Sequence, residues 1–219
     1  MKNIENYLED VKVNGYTKIQ DFVSKEEAEV LEEQTLHAFK KANKKFYHSN
    51  TDFVKVLSVQ ESFTTDKKYF KFFNSFFNNT DITNFIKSYF ESSEIEISKI
   101  FLAESSSTGE KVDVLPYKLH FDKTRYLKFM IYLRDVYEGD GGITFAKKEW
   151  NTKLQEELLS REQLKEENIV EVDDLSKIDE VTGPKGTGVI FDTNITHKAG
   201  QVLGANKRLV LRIDSRVKP

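Results

Sequence analysis

The stretch "LHFDK", residues 119–123, sets His120 and Asp122 two apart in a chain with four histidines and no cysteine. On an extended strand, side chains two apart share a face, with Cβ atoms roughly 6–7 Å apart, so one metal ion can bridge both. Without thiolates, a bound metal is held by His, Asp, Glu or water, which selects hard or borderline divalent ions. A third polar residue, His197 in "GVIFDTNITHKAGQ", lies far downstream. Two histidines and a carboxylate on one face of an ion leave its other positions open, an arrangement suited to non-haem Fe(II). The pair alone carries little weight: His-x-Asp is short, and a half-buried histidine bonded to a nearby carboxylate is a frequent structural motif.

The elements that position these residues follow from pattern. A chain of 219 residues with no second composition block reads as one domain over 1–219. Its formal charge of −3, with both signs interspersed, offers no broad basic face for nucleic acid. The charged opening "MKNIENYLEDVKVNGY" has no apolar signal core, and no run of about 18 apolar residues occurs, so the expectation is a soluble, cytoplasmic protein without a membrane span.

"NGYTKIQDF" reads as a turn and a short strand. "SKEEAEVLEEQTLHAFKKANKKF" carries a helical apolar period through Ala28, Leu31, Thr35, Ala38, Phe39 and Ala42. Ser24 and Glu27 form a capping box there, with Val23 placed to staple onto Ala28. Residues 66–91, rich in Phe and Tyr, predict two helices broken near "NNTD", with Thr80 or Asp81 capping the second. Beyond them, β-rich runs at 94–105, 115–121, 126–136, 142–146, 187–192 and 207–217 alternate with turns such as "EGDGG" and "GPKGTG". Residues 150–168 read as a charged, exposed helical insertion. The expected class is a mostly β core backed by a layer of N-terminal helices.

After His197 comes the turn "GANK" and then "RLVLRIDSRV", an alternating strand opened by Arg208, eleven residues beyond the histidine. An arginine there can grip a carboxylate with a planar fork. The order "HFD", "H", "R" at this interval resembles the Fe(II)- and 2-oxoglutarate-dependent dioxygenases, most closely the phytanoyl-CoA dioxygenase-like group. "NGYTKIQDFVSKEEAEVLEEQ" is similar to that group's opening strand and helix, "KFMIYLRDVYEGDGGITF" to its central strands and "GTGVIFDTNITHKAG" to its distal histidine segment. Together these cover most of the chain in the expected order.

The resemblance implies a double-stranded β-helix, or jelly roll, with helices packed on one sheet and the site in the barrel mouth. It implies Fe(II) on His120, Asp122 and His197, 2-oxoglutarate with its distal carboxylate on Arg208, and O₂. The implied reaction is oxidative decarboxylation to succinate and CO₂ coupled to hydroxylation of a small-molecule substrate. Halogenases of this kind lack the carboxylate ligand; Asp122 is present here, which points to hydroxyl rather than halide transfer. Arg212 shares a strand face with Arg208, but four strand residues span roughly 13 Å, and the interval from His197 selects Arg208. Arg212 is then an ion-pair partner or a pocket residue. Many relatives follow the "GGITF" segment with Gly-Ser-His, whereas this chain reads "AKKEWNTK", so the substrate is not carried over.

The remaining candidates divide between chemistry and scaffold. His37 and His48 lack a second ligand at helical or strand spacing and read as structural or surface residues. Lys118, Lys123, Arg125 and Lys128 surround "HFD" and read as solubilising charges, with Lys123 and Arg125 as candidate contacts to an anionic substrate. Tyr117 and Trp150 are pocket walls or core. Neither glycine cluster continues as a phosphate loop, and no serine sits in a nucleophile elbow. Two other classes stay open: a jelly-roll module binding a sugar or other small molecule, and a cupin-like metal hydrolase or isomerase, disfavoured by the absence of His-x-His. No pattern in the sequence sets an oligomeric state.

Overall fold

Ser24 accepts a hydrogen bond from the Glu27 amide at 3.1 Å while Glu27 Oε2 accepts one from the Ser24 amide at 2.8 Å, so the capping box closes as the sequence predicts. It opens helix α2 (Lys25–Lys41), one of three α-helices described in the computed structural model, with α1 (Leu8–Asn14) and α3 (Thr80–Phe90). The structure describes residues 4–43, 46–59, 79–110, 114–122, 124–151 and 174–219. Val23 and Ala28 are both buried in the same apolar cluster. Ser24→Ala is expected to lower stability by about 1 kcal/mol, read as a lower urea midpoint with an unchanged slope. An unchanged midpoint would show that the box contributes nothing.

The described residues form ten strands, three of them interleaved with these helices, in two antiparallel sheets: β1 (Tyr16–Ile19), β2 (Tyr47–Asn50), β3 (Val54–Ser58), β4 (Ile95–Ser105), β5 (Leu127–Tyr132), β6 (Ile143–Ala146), β7 (Ile178–Val181), β8 (Gly188–Asp192), β9 (His197–Lys198) and β10 (Arg208–Val217). The larger sheet runs β1-β8-β5-β10-β4-β3-β2 and the smaller β7-β6-β9. Strand parity divides the core. Leu127, Phe129 and Ile131 of β5 and Leu209, Leu211 and Ile213 of β10 face the helices, where Phe85 of α3 meets Phe129 edge-on at 5.8 Å. The alternate residues, including Met130, Tyr132 and Val210, join Phe145, Val181 and Phe191 between the two sheets. Slipping either strand by one residue would exchange these two sets.

Gly15 turns the chain from α1 into β1 at φ 79°, where a Cβ would come within 2.2 Å of Ile195 Cγ2. That close approach requires glycine.

Several expectations shift. Asn79 caps α3, its side chain accepting from the Asp81 and Ile82 amides, in place of Thr80 or Asp81. Asn79 sits one residue earlier, where the backbone is still extended and its side-chain oxygen can reach the first free amides. The run 115–121 forms no continuous strand. Pro116 lacks an amide donor, Tyr117 N turns back to Val114 O at 2.8 Å, and pairing is limited to the His120–His197 bridge and one bond from Ala199 N to Pro116 O at 3.0 Å. Strands β2, β3, β7 and β9 fall outside the β-rich runs read from the sequence. The first predicted helix within 66–91 falls on 66–78, and all but residues 150–151 of the expected insertion at 150–168 also lie outside the described residues.

Candidate metal centre

His120 and His197 exchange backbone hydrogen bonds across the sheet edge, His120 N to His197 O at 2.9 Å and His197 N to His120 O at 2.7 Å. A segment 77 positions away in sequence thereby meets the "HFD" segment, with the two imidazole rings 4.6 Å apart. Each ring's Nδ1 lies beside a carbonyl two residues back, Lys118 O at 2.8 Å and Ile195 O at 2.9 Å. A carbonyl only accepts, so Nδ1 carries the proton and both Nε2 lone pairs are free for a metal.

Asp122 Oδ1 lies 3.7 Å from His120 Nε2 and 3.8 Å from His197 Nε2, and all three ligand atoms fall within 4.8 Å of one another. Two ligand atoms each roughly 2.1 Å from one ion can be at most about 4.2 Å apart, so the carboxylate distances fit and the rest of the site needs only a slight contraction. Burial holds His120 below its ordinary pKa and drives His197 down to about 3, so both rings stay neutral, as ligands must be. Burial would raise Asp122, but the Lys128 ammonium, by its charge and its hydrogen bond, holds it below its ordinary value and ionised. Among the described residues this is the one cluster of metal-ligating groups.

Two of the three candidate ligands, His120 and His197, border a cavity of about 120 Å³ between the sheets, lined also by Phe101, Ser105, Lys128, Met130, Phe191, Arg208 and Arg212 and by further apolar residues. Arg208, 6 % exposed, donates to Gly141 O and to Ser105 Oγ at 3.2 Å, while its Nε has no hydrogen-bond partner among the described residues. No described carboxylate lies within ion-pair distance of Arg208. Arg212 differs: Nε and Nη2 hold Asp214 at 2.8 and 3.1 Å, and the guanidinium lies 4.7 Å over Phe101. It is both an ion-pair partner and a pocket residue.

Arg125 is placed elsewhere, bonding Asp192 at 2.7 Å and Tyr89 at 3.3 Å and standing over the rings of Tyr89 and Phe90. It does not line the cavity, because Asp192, buried at the end of β8, holds its guanidinium there. Lys123 lies outside the described residues. His37 is on α2, and His48, on β2, packs 5.6 Å from Phe101; neither joins the cluster. Tyr117 lines the cavity and Trp150 does not.

Lys128 was misjudged in the sequence. It is 7 % exposed and bonds Asp122 Oδ2 at 2.5 Å, where a solubilising charge was expected. The available signal was parity: in "LKFMIYL" it falls in phase with Met130 and Tyr132, which face inward.

No family model matches the chain, and no curated protein matches it in sequence. Solved structures do match in fold. The non-heme alpha ketoglutarate dependent carbocyclase SnoK from nogalamycin biosynthesis superposes with a TM-score of 0.65 at 13% identity, over 96% of this chain and 83% of its own. The epimerase SnoN from the same biosynthesis gives 0.64 at 11%, over 97% and 82%. HygX from Streptomyces hygroscopicus, crystallised with nickel and 2-oxoglutarate, gives 0.61 at 10%, over 96% and 85%. At these identities the likeness is one of architecture, and it does not single out the phytanoyl-CoA dioxygenase-like group. Helix-backed antiparallel sheets enclosing a His-Asp-His cluster give this chain the fold of the non-heme, alpha ketoglutarate (2-oxoglutarate) dependent enzymes.

Proposed function

We propose that this chain is an Fe(II)- and 2-oxoglutarate-dependent oxygenase that hydroxylates a small-molecule substrate, with His120, Asp122 and His197 as metal ligands and Arg208 as the anchor of the co-substrate's distal carboxylate. The observation that carries this reading is a cluster of two neutral histidines and one carboxylate whose histidines share a cavity with a buried arginine that makes no carboxylate ion pair among the described residues. Arg208 has only the more distant Glu180 as a counter-charge; a buried cation without a direct ion pair is costly, and an anionic ligand offsets that cost. The strand order β4-β10-β5-β8 facing β7-β6-β9, with His120 bridged to β9, supports reading the sheets as a double-stranded β-helix. The phytanoyl-CoA dioxygenase-like grouping rests on the sequence motifs alone.

The ion and its co-substrate, when bound, would supply the oxidising power, consuming O₂ and releasing succinate and CO₂. The chain's residues hold and shield. His120 and His197 present fixed Nε2 lone pairs, Asp122 supplies the charged ligand, and Phe101, Met130 and Phe191 keep the cavity wall apolar. SnoN is an epimerase and SnoK a carbocyclase, so this fold hosts more than one reaction outcome. Hydroxylation is favoured here because Asp122 fills the position that halide transfer needs open. Product mass spectra from chloride buffer should show a gain of one oxygen, and a chlorinated product would overturn the reading.

Anaerobic addition of Fe(II) and then 2-oxoglutarate should develop the weak visible charge-transfer band of the ternary complex. A protein that folds but gives no band at saturation is instead a jelly-roll binding module.

A further inference from the structure

Asp122 divides its two oxygens between different tasks. Oδ1 faces both histidine Nε2 atoms at 3.7 and 3.8 Å, while Oδ2 accepts a 2.5 Å hydrogen bond from Lys128 Nζ. Lys128 reaches this position from β5, where its register partners are Asp214 on β10 and Phe191 on β8. Its nearest alternative carboxylate is engaged, since Arg212 holds both oxygens of Asp214. The Phe191 ring lies 5.9 Å from Nζ. The two cations and two carboxylates of this wall are therefore sorted into fixed pairs, Arg212 with Asp214 and Lys128 with Asp122.

We propose that Lys128 is a positioning residue that restricts Asp122 to one-oxygen metal ligation, leaving a coordination position free that a two-oxygen carboxylate would occupy. The inference rests on the metal reading above and goes beyond it by assigning a residue outside the ligand set. A carboxylate bonded through one oxygen to an ammonium cannot turn that oxygen toward the ion without breaking a charge-assisted hydrogen bond inside the protein. An octahedral ion held by two histidines and one carboxylate oxygen keeps three positions open. A co-substrate bound through two atoms leaves one of these, and a two-oxygen Asp122 would leave none. Burial makes the restraint stiff, because the lysine is shielded from bulk solvent and its stem lies on β5, between β8 and β10.

The chain distinguishes this role from charge balance. A lysine serving only to neutralise Asp122 could bond either oxygen, whereas Nζ takes the oxygen pointing away from the histidines. The ordering of a ligand by the group bonded to its outer atom is a general feature of metal sites, and losing it weakens metal binding by roughly 10- to 100-fold.

The test uses the full chain with Zn(II) and Fe(II) under anaerobic conditions, comparing wild type, Lys128→Met and Lys128→Gln. Metal-induced infrared difference spectra of protein labelled with ¹³C at the aspartate carboxyl carbon read the ligation mode, since the two carboxylate stretches lie further apart for one-oxygen than for two-oxygen binding. Calorimetry reads affinity. Wild type should show the wide splitting; Lys128→Met should show a narrowed splitting and a roughly 10- to 100-fold weaker site. Lys128→Gln, which keeps a neutral donor, should retain the wide splitting, and it carries the test if the Met variant fails to fold. A two-oxygen signature in wild type overturns the proposal, as does an unchanged splitting in a folded Lys128→Met. So does a narrowed splitting in Lys128→Gln if the Met variant does not fold. Wild-type protein that binds neither metal removes the metal reading, and this inference with it.

Discussion

Replacing His197 with alanine should abolish stoichiometric Fe(II) binding and leave the fold standing. The proposed site has three protein ligands, and a truncated side chain would remove one metal bond outright, so the loss should exceed the roughly 10- to 100-fold cost of disturbing a residue behind a ligand. The fold should survive because the structural part of His197 is its backbone, paired in both directions with His120. Its ring contacts Phe191 and His120 and bonds one carbonyl, Ile195 O. Stranding that carbonyl beside an existing cavity costs about 1–3 kcal/mol, against a total stability on the order of 5–15 kcal/mol for a domain. Anaerobic calorimetry with Fe(II), with circular dichroism as the control for folding, checks both halves. If folded His197→Ala still takes up one Fe(II) as tightly as wild type, His197 is not a ligand.

Arg208→Lys should weaken 2-oxoglutarate binding by about 1.5–3 kcal/mol, roughly 10- to 150-fold, and leave Fe(II) affinity largely intact. Lysine keeps the charge but loses the planar fork, and it cannot reproduce the bonds to Gly141 O and Ser105 Oγ that fix the guanidinium at the start of β10. The same change at Arg212 should have the smaller effect. Arg212 already spends two nitrogens on Asp214 and stacks on Phe101, so less of its binding capacity is available to a new anion. Titrating 2-oxoglutarate into both metal-loaded variants decides the matter, and a larger loss in Arg212→Lys would move the carboxylate site four residues along the strand.

Local pattern was enough for the helix cap at Ser24 and Glu27, the amphipathic face of α2 and strands β4, β5, β6, β8 and β10, because each depends on residues a few positions apart. The ligand candidates were visible for a similar reason: cysteine-free composition and a His-x-Asp pair restrict the chemistry before any fold is known. Tertiary structure decided how they meet. The His120–His197 bridge joins segments with no local relation, and it forms although Pro116 keeps the preceding residues from extending as a strand.

Partner choice among the charged residues also belonged to the fold. Lys128 and Arg125 are equally charged and close in sequence, yet β5 turns one inward to Asp122 while Asp192 at the end of β8 holds the other outside the cavity. Arg208 and Arg212 have the same strand parity, and only the neighbouring Asp214 separates a neutralised arginine from one left without a carboxylate. Sequence fixes which residues share a face; burial and the nearest counter-charge are set by strands brought together from across the chain, and those determine which residues are left to bind.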